Sequence, residues 1–374
     1  MIAPPNDDRE HCLFYRCCIG RRGVWLLVAM TMTAIGCILA AERAKALRQE
    51  KVTGILQGVL YDYEVNDLSC IDDRGAQDWT YSFSPRRQPE LDWLRRYFGR
   101  GFFSDIVVAG ASSDIELRCV HATPRLRYLQ LASCHVTDAG VSAVASTPGL
   151  LSLDLQDTGI TDRGLASLSG LRSLHVLKIS QFGVPRENLV TGAGLAHIAQ
   201  LRQLRRLGLD CTAVTDAGVA HLAKLSGLNE LTLEHTAVTD ASMVTIQRLS
   251  QLRVLDLEDT RITDKGMPCL HALTELRWLS LNFTAVSDAA LVPVGELVNL
   301  ERLELVGTNV TDKGLVHLRG LKQLRKLALC ETSVTPAGVA MLKKSLPGLV
   351  VLMPRNAGHS AETSPSSTLH SSTQ

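Results

Sequence analysis

The twenty-four residues Leu252–Glu275, "LRVLDLEDTRITDKGMPCLHALTE", join two periodicities through a turn. In "LDL" the leucines alternate with a polar residue, which sends Leu255 and Leu257 to one face of a short strand and Asp256 to the other. A second copy as full, "LERLELVGTNVTDKGLVHLRGLKQ" from Leu300, has the same strand pattern in "LEL". After its "TDKG" it places Leu315, Leu318 and Leu321 three apart, as a short helix requires. The pattern recurs every 24 residues: Leu126, Leu150, Leu174, Leu204, Leu228, Leu252, Leu276, Leu300 and Leu324 open nine copies. Only the step from Leu174 to Leu204 is longer, by six residues. A strand, a turn and a helix repeated at this interval predict a stack of identical supersecondary units.

The phrase L-x-x-L-x-L followed by a short polar residue resembles the leucine-rich-repeat family, whose signature L-x-x-L-x-L-x-x-N/C-x-L carries asparagine or cysteine where this chain mostly has threonine. That slot holds Cys134, Thr158, Phe182, Thr212, Thr236, Thr260, Thr284, Thr308 and Thr332. The resemblance implies an α/β fold: a right-handed leucine-rich-repeat solenoid with a curved parallel sheet inside and short helices outside. A short hydroxyl in the slot can satisfy turn backbone that burial would otherwise leave unpaired. Phe182 departs from the pattern in the copy that carries the insertion "GVPRENL", which is expected to bulge.

The phrase "RITDKG" at Arg261–Gly266 looks like a catalytic or metal-binding loop in isolation, but its aspartate returns in seven copies: Asp138, Asp162, Asp216, Asp240, Asp264, Asp288 and Asp312. Gly192 and Pro336 take the slot in two others. An aspartate copied along a rod reads as structural, and its position before the helix suits an N-cap at the positive end of the helix dipole.

Forty-five per cent of the 374 residues are hydrophobic and five per cent aromatic, so the core is built from Leu, Val, Ile and Ala. A formal net charge of +1 removes the bulk-charge argument for a nucleic-acid partner. The ten cysteines follow neither zinc-ligand spacing nor a compact disulfide framework and are expected to be mostly free and buried. No phosphate-binding loop or zinc-protease motif is present, and no nucleophile has a base and orienting acid that repeat geometry would assemble. Catalytic residues, metal ligands and cofactors are therefore expected to be absent.

The array has flanks of different character. After a short tail over 1–23, residues 24–41 read "VWLLVAMTMTAIGCILAA", eighteen residues without a charge. As a helix this run spans roughly 27 Å, near the hydrocarbon thickness of a bilayer, and predicts an N-terminal transmembrane helix. It fits the patterns of cleaved, lipidated or twin-arginine signals poorly. Arg21 and Arg22 before the span favour a cytoplasmic N-terminus with the repeats outside. A membrane-proximal region over 42–89 and an N-terminal cap over 90–125 precede the repeat domain at 126–354. The Ser/Thr-rich tail 355–374 has little to bury and is expected to be disordered. Together these segments resemble bacterial membrane-anchored leucine-rich-repeat proteins.

Solenoids bind through the variable positions between the fixed leucines of the sheet. The expected ligand face comprises Arg206, Asp210, Glu230, Glu234, Asp256, Glu258, Trp278 and Phe283; within it Asp210, Glu234 and Glu258 fall on consecutive copies, with Asp256 and Asp259 close by, and predict an acidic stripe that ends beside Trp278 and Phe283. An aromatic next to charge is the usual composition of a protein-binding anchor. The expected function is a membrane-anchored scaffold that recognises another protein or a surface polymer, with Trp278 as its largest contributor. The alternative is an intracellular adaptor, because the threonine-bearing copies also resemble those of F-box-associated substrate receptors.

Overall fold

Every copy puts its signature leucines out of reach of water: Leu252, Leu255 and Leu257, like Leu276, Leu279 and Leu281 in the next, are 0% exposed. Each such side chain contributes about 1.5–3 kcal/mol relative to exposure. The computed structural model describes residues 37–46, 57–61, 63–67, 82–85, 106–182 and 190–353, and its contacts divide the chain into Met1–Gln130 and Leu131–Gln374.

In the first unit, strand β1 (Gln57–Tyr61) runs antiparallel to β4 (Ile106–Gly110), and β4 runs parallel to β5 (Tyr128–Gln130). Strands β2 (Tyr63–Asp67) and β3 (Ser82–Pro85) form a separate antiparallel pair. Among the described residues no helix is long and apolar enough to cross a membrane. The expected span 24–41 lies outside them except for its last residues, which belong to a helix over 37–46. The tails 1–23 and 355–374, the inserted residues 183–189 and most of 42–105 also lie outside the described residues.

The second unit is a ladder of parallel three-residue strands: β6 (Ser152–Asp154), β7 (Val176–Lys178), β8 (Arg206–Gly208), β9 (Glu230–Thr232), β10 (Val254–Asp256), β11 (Trp278–Ser280), β12 (Arg302–Glu304), β13 (Lys326–Ala328) and β14 (Val350–Leu352). Each pairs with the next so that equivalent positions of successive copies face each other, as Val254, Leu255 and Asp256 face Trp278, Leu279 and Ser280. The longer step between copies therefore leaves the register intact, with Val176 opposite Arg206. Short helices return the chain to the next strand. They are α-helical at Asp138–Val144, Asp162–Ser167, Gly192–Ile198, Asp216–Ala220 and Asp240–Ile246, and tighten to 3-10 geometry at Met267–Ala272 and Gly314–Gly320.

The threonine slot acts through its hydroxyl. Thr158, Thr212, Thr236, Thr260, Thr284 and Thr308 each donate to the carbonyl of the leucine three residues earlier, at 2.6–2.7 Å, and close the turn after the strand. In the copy where Phe182 takes the slot and lies 48% exposed, Gln181 holds the loop instead. Its Nε2 donates to the Ile160 carbonyl at 3.1 Å, and its Oε1 accepts from the Val190 amide at 2.7 Å, across the insertion.

The aspartate of "TDxG" is not the helix cap. The cap is the residue before it: Thr137, Thr161, Thr191 and Thr239 accept at their hydroxyls from the amide two residues on, and Ser287 does the same. Asp138, Asp162, Asp216, Asp240 and Asp288 open their helices, Asp264 and Asp312 stand in the turn before theirs, and all seven point to the following copy. Each carboxylate accepts the backbone N–H and the hydroxyl of the Thr or Ser just before that copy's aspartate slot, as Asp240 does from Thr263 at 2.8 and 2.6 Å. The same pair of bonds joins Asp138 to Thr161, Asp162 to Thr191, Asp216 to Thr239, Asp264 to Ser287, Asp288 to Thr311 and Asp312 to Thr335. A helix's first turn needs acceptors. Threonine supplies one locally, which leaves aspartate free to bond across the repeat boundary. The glycine of "TDxG" makes room for this clamp: a Cβ on Gly266 would stand 2.7 Å from Asp240 Oδ1.

The clamp is missing where Gly192 replaces aspartate, and there Gly192 and Gly218 touch backbone to backbone; a Cβ on Gly192 would lie 2.7 Å from the Gly218 Cα. Restoring the repeat consensus with Gly192→Asp is therefore expected to destabilise the chain. Thermal unfolding tests this, since a raised Tm would show that the helices can separate enough to admit the side chain.

One backbone feature recurs without a sequence signature. Ser133, Asp157, Cys211, His235, Asp259, Phe283 and Glu331 all have φ between 47° and 58°, and Gly307 fills the same slot with φ 66°. The left-handed conformation costs a non-glycine residue free energy. Glu331 is exposed, so Glu331→Gly is expected to add about 0.5–1 kcal/mol of stability, read as a higher denaturation midpoint with an unchanged m-value.

Candidate functional site

The sheet's outer face carries the variable residues in rows set by strand register. One row runs Ser152, Val176, Arg206, Glu230, Val254, Trp278, Arg302 and Lys326; the next runs Asp154, Lys178, Gly208, Thr232, Asp256, Ser280, Glu304 and Ala328. Just beyond the strands stand Ser180, Asp210, Glu234, Glu258 and Asn282. Neighbouring strands are about 4.8 Å apart, so charged side chains in one row must pair, be shielded or protonate.

The expected acidic stripe is present as a set of neighbours, but two of its members are buried. Asp210 is 3% exposed and accepts from Ser180 Oγ at 2.9 Å, Thr232 Oγ at 2.8 Å and the Glu234 amide at 3.0 Å. Asp256 is 2% exposed and accepts from the Glu258 amide at 3.0 Å. Burial pushes the Asp256 carboxyl up to about 8, and the charges of Asp210, Glu234 and Glu258 act in the same direction. Burial also raises Asp210, against the hydrogen bonds from Thr232 and Ser180 that favour its charged form. Glu234 is raised by burial and by the Asp210 and Glu258 charges. Glu230 is raised by burial although Arg206 pairs with it at 3.5 Å.

Around this core the contacts continue from copy to copy. Asn282 is 6% exposed and donates through Nδ2 to Glu258 at 2.8 Å and to Glu304 at 3.0 Å, while its Oδ1 accepts from the Val306 amide at 2.8 Å. His235 lies between Glu234, at 3.4 Å, and Asp259. Among the described residues, no group of three or more His, Cys, Asp or Glu side chains is arranged to hold a metal ion.

Trp278 differs most from expectation. It is 7% exposed rather than presented to solvent, because Arg302 on the adjacent strand lies over its indole, with the guanidinium carbon 5.2 Å from the ring centroid. Such a stack is a cation–π contact. Of the two expected aromatics, Phe283, 47% exposed in its left-handed turn, is the one that solvent reaches. Arg302, Glu304 and Asn282 stand beside the expected residues and were not singled out by sequence. The in-register spacing of 24 could have placed them, but nothing in the sequence marks Arg302 as the residue that covers the tryptophan.

Comparison with known proteins gives the repeat type. Models described as leucine-rich repeats match residues 202–262 and 226–286, and residues 124–145 and 150–169. Among curated proteins no relative matches the chain. Among solved structures it is similar to an internalin from Listeria monocytogenes, with 22% identity over 64% of this chain and 70% of that one and a TM-score of 0.49. It is also similar to a leucine-rich-repeat protein of Leptospira interrogans, with 18% identity over 63% and 68% and a TM-score of 0.44. A third is the plant peptide hormone receptor RGFR1 in complex with RGF2, with 13% identity over 63% and 45% and a TM-score of 0.40.

Proposed function

The repeat array belongs to the leucine-rich-repeat family, and we propose that its sheet face between Arg206 and Glu304 is the docking surface of a binding protein rather than an enzyme's active site. Solenoids of this kind offer extended surfaces whose fixed residues build the rod and whose variable residues contact a partner. The observation that carries the reading is the concentration of desolvated carboxylates, Asp210, Glu230, Glu234 and Asp256, on consecutive strands of one face. Their burial disfavours the charged form on strand after strand of one face, and perturbed ionisable groups gather at functional sites. The partner is a protein with a basic or hydrogen-bond-donating face, and exposed Phe283 supplies an apolar contact beside it.

The experiment is a charge reversal, Glu234→Lys with Glu258→Lys, in the full chain. Loss of partner association in a chain that still unfolds cooperatively is the expected result, with Val316→Lys on the helical side retaining association. Association that survives the double reversal overturns the reading.

The uncharged run 24–41 supports single-pass anchoring with the repeats outside the cytoplasm. Resistance to alkaline carbonate extraction, with the repeats digested by protease added to intact cells, is the outcome this placement requires. Release by carbonate, or protection from the protease, contradicts it.

A further inference from the structure

Three donors on two adjacent strands of the sheet face have nothing to donate to. Trp278 Nε1, Ser280 Oγ and Arg302 Nη1 are buried and make no hydrogen bond among the described residues. Nearly all buried polar groups in folded proteins are satisfied, so three orphans on neighbouring residues are an anomaly that needs a cause. They are also of one kind: each can donate, and two of them, the indole N–H and the guanidinium N–H, cannot accept. Lys326 extends the row by one strand, directly opposite Arg302 in register, and among the described residues it holds no ion pair.

The charges around them decide what fits. Arg206 is balanced by Glu230, and Arg302 by Glu304 through another of its nitrogens. That leaves the positive charge of Lys326 beside three unused donors. We infer that Trp278, Ser280, Arg302 and Lys326 form a carboxylate-binding subsite, which seats an acidic side chain or a C-terminal carboxylate of the partner. A guanidinium with a free N–H edge is suited to a planar two-oxygen acceptor, and the indole supplies a second fixed donor beside it. The long Arg302 side chain, lying over the indole, is the part that moves: lifting it opens the indole edge and carries its own Nη1 to the incoming oxygen. Raised by burial, Asp256 is largely uncharged near neutrality and adds little repulsion on the adjacent strand.

The subsite rests on the reading of the sheet face as a docking surface and adds its chemistry. The test follows the indole N–H signals of the full chain by 15N NMR, with the Trp278 signal assigned by its loss in Trp278→Phe. Three capped tetrapeptides are the probes: acetyl-Gly-Gly-Glu-Gly-amide with only a side-chain carboxylate, acetyl-Gly-Gly-Gly-Gly with only a terminal one, and acetyl-Gly-Gly-Gln-Gly-amide with neither. The expected result is a saturable shift of the Trp278 signal with one or both acids and none with the neutral peptide. Which acid acts identifies the source of the carboxylate. Arg302→Gln and Lys326→Gln should each weaken the effect at least about tenfold. A Trp278 signal that ignores all three peptides, or responds equally to them, overturns the subsite. If it does so while the Glu234/Glu258 reversal still abolishes partner association, the subsite falls and the docking surface stands.

Discussion

Replacing Asp216 with alanine should lower the unfolding free energy by about 2–4 kcal/mol, well beyond the loss of roughly 1 kcal/mol typical of a removed helix cap. Its carboxylate accepts three bonds from the next copy: the Thr239 amide at 2.8 Å, the Thr239 hydroxyl at 2.7 Å and the Ser242 hydroxyl. Burial works against its charge, but the bonds from Ser242 and Thr239 outweigh it and hold the acid below its ordinary value. Its stabilisation is present above the unfolded-state value and is lost as pH falls through the lower folded one. Ser242 occupies a slot that is glycine in most copies and alanine at Ala290, so its hydroxyl turns a space requirement into a third bond. Denaturant unfolding of Asp216→Ala, Thr239→Ala and the double variant measures the clamp as a coupling energy. A cost below about 0.5 kcal/mol for Asp216→Ala would mean the carboxylate is no more than a solvated surface group.

Stability should fall as pH rises from about 4 to about 8, and Asp256→Asn should remove much of that slope. The sign follows from proton counting. Asp256 holds its proton in the fold up to about 8, whereas in the unfolded chain it ionises near 3.9. Between these values the folded state binds more protons, so its contribution is complete below the unfolded value and is lost as pH rises through the folded one. Asp210, Glu230 and Glu234 are raised as well and add in the same direction. Asparagine keeps an oxygen for the Glu258 amide and carries no charge to desolvate. The variant should therefore be more stable than the parent at pH 8.5, by an amount on the order of a few kcal/mol, and about equal at pH 4. Equal stability at both pH values would show that the Asp256 carboxylate is solvated.

The fold was legible because burial in a solenoid is periodic. Leu255 and Leu279 occupy equivalent places, so one reading of strand and turn extended to every copy. The same periodicity misled the reading of Asp264. Sequence places it beside a helix start, where capping is the nearest use, but its bonding partner is Ser287, 23 residues on, in the next copy. The candidate site was legible as a set of neighbouring positions and not as an environment. Asp210, Glu230, Glu234, Asp256 and Glu258 do lie together, but whether a sheet-face residue is open to water depends on what its neighbours on adjacent strands do. Thr232 and Ser180 cover Asp210, and Arg302 covers Trp278. Those are choices of side-chain direction two or three residues wide, which a repeat signature does not contain. The left-handed turn residues escaped for a different reason: serine, aspartate, cysteine, histidine, phenylalanine and glutamate share that slot, and only Gly307 advertises it.

The claim that binding belongs to the sheet face is tested most directly by hydrogen exchange of the full chain with and without its partner. The account predicts slowed exchange in the strands and following turns from Arg206 to Val306, with the helices at Asp240–Ile246 and Leu291–Val294 unchanged. Slowed exchange confined to those helices, with the strands unaffected, would contradict it.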